Sequence, residues 1–336
     1  MSTHIESPRR NLIANFSEPL TDMGEVDPRY DGVFTPLPEI GLERKGITEN
    51  FLSGADEWFS RFEMFDLLFS LLNPIFERYP AAASGTIVDV GCGFGNTTIP
   101  LLAHHPNLSI IATDLSPDLL AILHREATKR DLIDRCLPVA VDAQRDYFKS
   151  RFADAVIGCG VLHHVAEPAR TVSSAMRVLR PNAPAIFLEP FEAGHAVLRL
   201  AFSQICEQAE RLGQSGRVFD FLKAVCSDIY VRSHRLNLPE WSEKWFELDD
   251  KWLFTRRYFE RLGESVGASD VKIMHLYDRR DLFVWQTQRA LTEYGRLRLD
   301  ELPDWAWKIV ERYDSDHFTE DLKADLIIEG AVVFTR

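Results

Sequence analysis

Near the middle of the 336-residue chain, a glycine-rich turn and three aspartates stand in a regular relation. The turn is Val88-Asp89-Val90-Gly91-Cys92-Gly93-Phe94-Gly95-Asn96-Thr97-Thr98, its glycines spaced GxGxG. Glycine lets a backbone turn sharply and lets a ligand come close. A helix starting just beyond it offers unpaired N–H groups and a positive dipole end. Alone, such a turn serves nicotinamide and flavin dinucleotides as well. Asp89 sharpens the reading, because an acid two residues before Gly91 would repel a pyrophosphate and suit a cationic amino group. Asp114 ends the next apolar run, 19 residues after Gly95, where a carboxylate can accept both hydroxyls of a ribose. Asp142 follows the third run and can accept from an adenine amino group, with Ala143 leaving room beside the ring. A lone acid of this kind is usually a turn former or a cap. Three of them, each ending its own strand, weaken that explanation.

The elements that must hold these residues alternate. Strands are predicted at Thr86–Val90, Leu108–Thr113, Leu137–Val141, Ala155–Cys159 and Ala185–Leu188. Helices are predicted at Asn96–Ala103, Pro117–Lys129 and Arg170–Leu179, the second with Ser116 as N-cap and Pro117 in its first turn. This alternation predicts an α/β fold, a parallel sheet with helices on both faces, over a core at 81–190. Residues 1–45 are rich in turn formers and show no period, so they read as a flexible N-terminal arm. Residues 46–80 read as a helix, with Phe51, Trp58, Phe62, Phe65, Leu68 and Phe69 at helical spacing, either packed on the core or serving as a lid. After the fifth strand, 191–252 reads as a helical, aromatic cap. Within 253–336 come a helix at Arg256–Val266 between Thr255 and Gly267, a strand at Val271–Leu276, a helical insert at 280–324 and a last strand at Ala331–Thr335.

A glycine-contacted tail, an ammonium, a ribose and an adenine together describe S-adenosylmethionine. On these residues, and on the segment Val161-Leu162-His163-His164-Val165 after the fourth strand, the stretch Thr86–Pro190 resembles the class I (Rossmann-like) S-adenosylmethionine-dependent methyltransferases, small-molecule group. The resemblance implies that Asp89, Gly91, Gly93 and Gly95 hold the methionine end, that Asp114 holds the ribose with Leu115 beside the adenine, and that Asp142 and Ala143 flank the adenine amino group, with Cys92, Asn96 and Cys159 also at the cofactor. It further implies a doubly wound, mostly parallel seven-stranded sheet in the order 3-2-1-4-5-7-6, strand 7 antiparallel. The chain departs from the family at Phe152-Ala153-Asp154, where Asp154 stands for a Phe-Asp pair, and at Pro181-Asn182-Ala183, where Asn182 replaces a glycine that turns left-handed.

Ligands of doubly wound sheets sit beyond the carboxyl ends of the strands. His163, His164 and Glu189 end the fourth and fifth strands, so they are the candidate catalytic residues. One histidine can act as a base near neutral pH. A helix-capping or packing role for the pair weighs equally, and Glu189 can be a base, a substrate ligand or a cap. The cap grows from the fifth strand and would roof a largely apolar pocket, within which Arg232, His234 and Arg235 form a small basic cluster. No residue set has metal-ligand spacing, so no metal is expected.

With 51 acidic and 38 basic residues the chain carries a net charge of −13, which argues against nucleic acid and against an anionic membrane surface. Five cysteines without a CxxC pair, and no apolar leader, point to reduced thiols in the cytoplasm. The expected enzyme methylates a small, largely apolar metabolite, at oxygen or carbon in preference to nitrogen. An N-methyltransferase or a peptide or protein methyltransferase working by proximity is the alternative, and a non-catalytic cofactor-binding module ranks last. The expected partner is a small-molecule substrate; a homodimer stays open.

Overall fold

The computed structural model describes residues 8–36, 54–233, 248–277, 279–315 and 317–336. Its strands are β1 (Thr21–Asp22), β2 (Phe34–Thr35), β3 (Gly85–Val90), β4 (Leu108–Asp114), β5 (Cys136–Ala140), β6 (Ala155–Cys159), β7 (Pro184–Pro190), β8 (Asp270–His275) and β9 (Glu329–Thr335). They form one sheet in the order β1-β2-β5-β4-β3-β6-β7-β9-β8. The expectation of seven strands is corrected to nine, and the order changes at one edge, where β1 and β2 are added. From β5 to β7 the neighbours run parallel; β9 is antiparallel to both β7 and β8. The parallel strands are covered on both faces, with Ile87, Val88, Ile110, Ile111, Val156 and Ile157 buried, as near-continuous apolar runs require.

The two extra strands come from the segment expected to be a flexible arm, and that expectation is corrected for residues 8–36. A short helix α1 (Pro8–Ile13) leads to β1 and β2. Leu12, Phe16, Met23 and Val33 are buried against the sheet and its helices. The phenol of Tyr30 donates to Asp118 Oδ1 at 3.0 Å. The turn formers read as disorder instead shape tight 3₁₀ turns, with Asp22 and Asp27 as their caps.

The helix expected from Ile47 to Arg78 is broken. It comprises α2 (Ala55–Phe62) and α3 (Phe65–Arg78); residues 46–53 lie outside the described residues. The core helices follow as α4 (Thr98–His104), α5 (Pro117–Lys129) and α6 (Pro168–Val178). Beyond β7 come α7 (Glu192–Arg211) and α8 (Arg217–Ser233), then α9 (Arg256–Val266), α10 (Leu282–Arg289), α11 (Asp304–Ser315) and α12 (Glu320–Lys323). The cap and the later insert share one core: Phe202, Ile205, Phe219 and Leu222 of α7 and α8 pack with Phe283, Leu291 and Val310. No helix among the described residues is long and apolar enough to cross a membrane.

Candidate active site

The parallel register sets Val90 of β3 opposite Thr113 of β4, Asp114 opposite Ala140 of β5, and Cys159 of β6 opposite Leu188 of β7. All the strand ends that carry predicted site residues therefore open on one rim.

On the β3–β5 side the glycine turn lies against Asp89 and Asp114. Gly91, Gly93 and Gly95 all take the left-handed φ that favours glycine, at 66°, 53° and 98°. A Cβ at Gly91 would overlap Val161, whereas one at Gly93 would meet only Leu119 Cδ1, at 4.0 Å. Space is thus kept over Gly93, where a ligand tail would pass. Asp89 is fully buried beneath the turn. Its Oδ2 accepts from Thr97 Oγ1 and, at 2.6 Å, from Thr98 Oγ1. Its Oδ1 is buried without a partner in the described structure. Burial pushes the Asp89 carboxyl up to about 7. A buried carboxylate oxygen lacking a donor is incomplete, and a cationic amino group such as that of S-adenosylmethionine would complete it. Asp114 accepts from Gly93 N–H and Ser116 N–H, each at 2.8 Å, one on each oxygen. Its carboxyl is raised by burial, against which those amides act. Each Asp114 oxygen keeps a further lone pair for a ribose hydroxyl. Leu115 stands next to it, half-buried. Asp142 accepts from Gln144 N–H at 2.9 Å, with Ala143 half-buried beside it. These residues fit the cofactor.

Other residues expected at the cofactor have additional or different tasks. The Asn96 amide is spent on the neighbouring helices, accepting from Met64 N–H at 2.8 Å and donating to Phe62 O at 2.8 Å. This pair fixes the break between α2 and α3 and ties it to the glycine turn. The thiols of Cys92 and Cys159 are raised far above their ordinary range by burial; neither is a nucleophile, and both act as wall.

On the β6–β7 side the geometry separates the three catalytic candidates. Glu189, with a fully buried side chain, accepts from Val161 and Leu162 N–H on Oε1 at 3.1 and 2.7 Å. Its Oε2 takes His163 N–H at 3.2 Å and the His163 ring at 2.7 Å. With its oxygens held this way, Glu189 is not a free base. It is a positioning residue, and a carboxylate accepting at Nδ1 puts the His163 proton there and the lone pair on Nε2. His164 turns otherwise, its Nδ1 at 2.9 Å from Asp249 O. Burial and the neighbouring His163 push His164 down to about 3. His195, whose Nδ1 meets Phe191 O at 2.8 Å, is held down to about 4 by burial and Arg232.

One participant has no motif in the sequence. Asp250, at the exit of the cap, sets Oδ1 at 3.6 Å from His163 Nε2 and 3.4 Å from His164 Nδ1, and Oδ2 at 3.3 Å from Arg232 Nη1. Burial would raise Asp250, but His163 and Arg232 outweigh it and hold the carboxyl at about 2. Lys251 N–H donates to His163 O at 2.7 Å, which pins the cap exit to the histidine turn. Trp252 Nε1 donates to Val165 O at 2.8 Å. Arg232 is buried and also faces Asp228 Oδ2, at 3.2 Å, so it is no open anion site; His234 and Arg235 lie outside the described residues. The aromatics expected to roof an apolar pocket are mostly core: Phe191, Phe202, Phe219 and Phe254 are buried, and Tyr230 is exposed beneath Arg199. Trp241, Trp245 and Phe246 are outside the described residues. A separate hollow of about 710 Å³ between Tyr30, α2 and α5 contains none of the rim residues.

Residues 88–185 match the family described as methyltransferase domain. Over 104 residues the chain is 29% identical to the chloroplastic 2-methyl-6-phytyl-1,4-hydroquinone methyltransferase of Spinacia oleracea, covering 31% of this chain and 29% of that protein. Over 87 residues it is 37% identical to a tRNA N(3)-cytidine methyltransferase of Danio rerio, covering 25% of this chain and 23% of the relative. The matches therefore span less than a third of either relative. A structure of phosphoethanolamine N-methyltransferase 2 of Haemonchus contortus, in complex with phosphomonomethylethanolamine and S-adenosylhomocysteine, shares the fold with a TM-score of 0.51 and 15% identity, over 90% of this chain and 61% of that one. With the glycine turn, the strand-end acids and the sheet in place, residues 88–185 are a methyltransferase domain of the class I, S-adenosylmethionine-dependent type.

Proposed function

We propose that the protein methylates a small molecule at an oxygen, or at an activated carbon, using S-adenosylmethionine. The observation that carries this reading is the His163 imidazole: Glu189 at 2.7 Å fixes its Nδ1, leaving Nε2 at the rim among groups from the cap. Asp89 would hold the ammonium, Gly91 to Gly95 the tail, Asp114 the ribose, and Leu115, Asp142 and Ala143 the adenine. Bound there, the cofactor supplies a methyl group on a sulfonium, already a good leaving group. The chain's own work is to position the acceptor, keep water out with the cap, and take up the acceptor's proton on His163 Nε2 as the new bond to carbon forms. Positioning of this kind supplies up to about 7–11 kcal/mol in favourable cases, and a placed base adds roughly 10²–10⁴-fold.

The acidic surface, −13 overall, supports a small-molecule acceptor over nucleic acid. The likeness to a tRNA enzyme covers only a quarter of the chain. The polar rim supports an acceptor with oxygens near the reacting atom, and the buried aromatics of the cap give no support to a largely apolar pocket. Five free cysteines fit a reducing, cytoplasmic setting. The deciding experiment incubates purified protein with labelled S-adenosylmethionine and fractionated cell extract. Label in an extractable product heavier by CH₂ is the expected result. Label confined to RNA or protein would overturn the small-molecule reading, and no S-adenosylhomocysteine from any fraction would overturn the enzyme.

A further inference from the structure

We infer that His163, His164 and Asp250 form a binding site for a divalent transition-metal ion. The inference rests on the proposed methyl transfer and revises one role in it: the same atom, His163 Nε2, serves as a metal ligand in place of a base. Sequence spacing gave no hint of it, since the third ligand arrives from the far end of the cap.

Three observations point to an ion. First, the donor atoms are gathered closely enough to share one ion, although His164 Nδ1 also stands at hydrogen-bond distance from Asp249 O, and an ion would displace the proton between them. Asp250 Oδ1 lies 3.6 Å from His163 Nε2 and 3.4 Å from His164 Nδ1, too long for good hydrogen bonds. Donors at about 2.1 Å from one ion stand about 3.0 Å apart along an octahedral edge and about 3.4 Å apart in a tetrahedron. All three donor atoms lie within 4.8 Å of one another, and Asp249 O, 2.9 Å from His164 Nδ1, stands at the same cluster. Second, the ligands are supported from behind. Metal-bound histidines usually give their other ring N–H to a carboxylate, which fixes the tautomer. Glu189 does this for His163, and three backbone N–H groups hold Glu189 in turn. Arg232 takes Asp250 Oδ2, which leaves Oδ1 for the ion. Third, the donors are two imidazoles and one carboxylate, a set that suits zinc, iron, cobalt or manganese.

Such an ion would bind the acceptor oxygen and lower its pKa. The hydroxyl proton then leaves to water, the oxygen–carbon bond forms as the carbon–sulfur bond breaks, and the sulfonium becomes a neutral thioether. The His163 lone pair goes to the ion, so activation passes from base to Lewis acid. The acceptors favoured are those with two neighbouring oxygens, able to chelate.

Full-length protein stripped with a chelator is titrated with Mn²⁺ and Zn²⁺ by calorimetry and with Co²⁺ by visible absorption, and S-adenosylhomocysteine binding is measured on the same samples. Expected are one site per chain, a Co²⁺ spectrum showing nitrogen ligation, and roughly 10–100-fold weaker binding in Glu189→Gln, a loss usual for an outer partner. Asp250→Asn, a half-exposed isosteric change, should weaken binding at least as much. The proposal is overturned if the unaltered protein binds none of the ions below about 1 mM, or if Asp250→Asn binds them equally well. Protein that binds S-adenosylhomocysteine but none of the ions would sink this inference and leave the methyltransferase reading standing; protein that binds an ion but not S-adenosylhomocysteine would do the reverse.

Discussion

The two halves of the rim are built in opposite ways. On the β3–β5 side each acid expected at the cofactor sits at or just past the end of its own strand, and each is held by near neighbours: Asp89 by Thr97 and Thr98, Asp114 by Gly93 and Ser116, Asp142 by Gln144. On the β6–β7 side His163 depends on Glu189 from the next strand and on Asp250 and Lys251 from the end of the cap. The first half is a local device that any acceptor chemistry can reuse. The second is assembled across the fold, so it can change with the cap. The proteins this chain resembles over part of its length carry a hydroquinone and a tRNA base in their names.

If the halves are separable, a change in one should leave the other intact. The largest effect is expected from Asp114→Ala. It removes charge-assisted hydrogen bonds worth about 1.5–3 kcal/mol each, so S-adenosylhomocysteine affinity should fall by at least about 100-fold in calorimetry. A smaller loss would mean that the ribose is held elsewhere. Next comes Glu189→Gln, which lets the His163 ring turn. Turnover should fall about 100-fold while S-adenosylhomocysteine affinity stays unchanged. Equal losses in both would erase the division.

A third test uses pH. Asp89 has its folded pKa raised to about 7 by burial, from 3.8. The folded protein therefore keeps its proton where the unfolded chain has lost it. The stability of the cofactor-free protein should fall as pH rises from about 4 to about 7 and then level off. Affinity should move the other way, since the ammonium needs an ionised partner. Binding at pH 6 should be about tenfold weaker than at pH 8, and Asp89→Asn should abolish the slope. The smallest effect is expected from Asn96→Ala, which frees Met64 N–H and Phe62 O. Loss of these bonds costs about 1–2 kcal/mol, lowering Tm by about 1–3 °C and raising KM more than it lowers kcat.

What could be read from the sequence follows the same division. Ser116 accepts from Leu119 N–H at the start of α5, Thr255 caps α9 ahead of Gly267 at φ 70°, and Asn182 takes φ 65° in place of the family's glycine. Each is a short-range rule with a physical cause, and so are the glycine turn and its acids. Asp250 was invisible because its role depends on how a cap of some sixty residues folds back, which no spacing encodes. The second task of Asn96 is not legible either, because the helix break that engages its amide lies 32 residues earlier. β1 and β2 were missed because two residues are too few to show a period.

Those two small strands bear on how the molecule behaves in a crowded solution. An open strand edge displays unpaired N–H and C=O groups and invites another chain to add on. Here β2 sits on the outer side of β5, pairing Phe34 with Val139, and Thr35 Oγ1 donates to Ala140 O at 3.0 Å. Pro138, mid-strand in β5, offers no N–H of its own. The N-terminal segment thus covers the edge of β5, and its removal should increase self-association, well before any residue of the rim is disturbed.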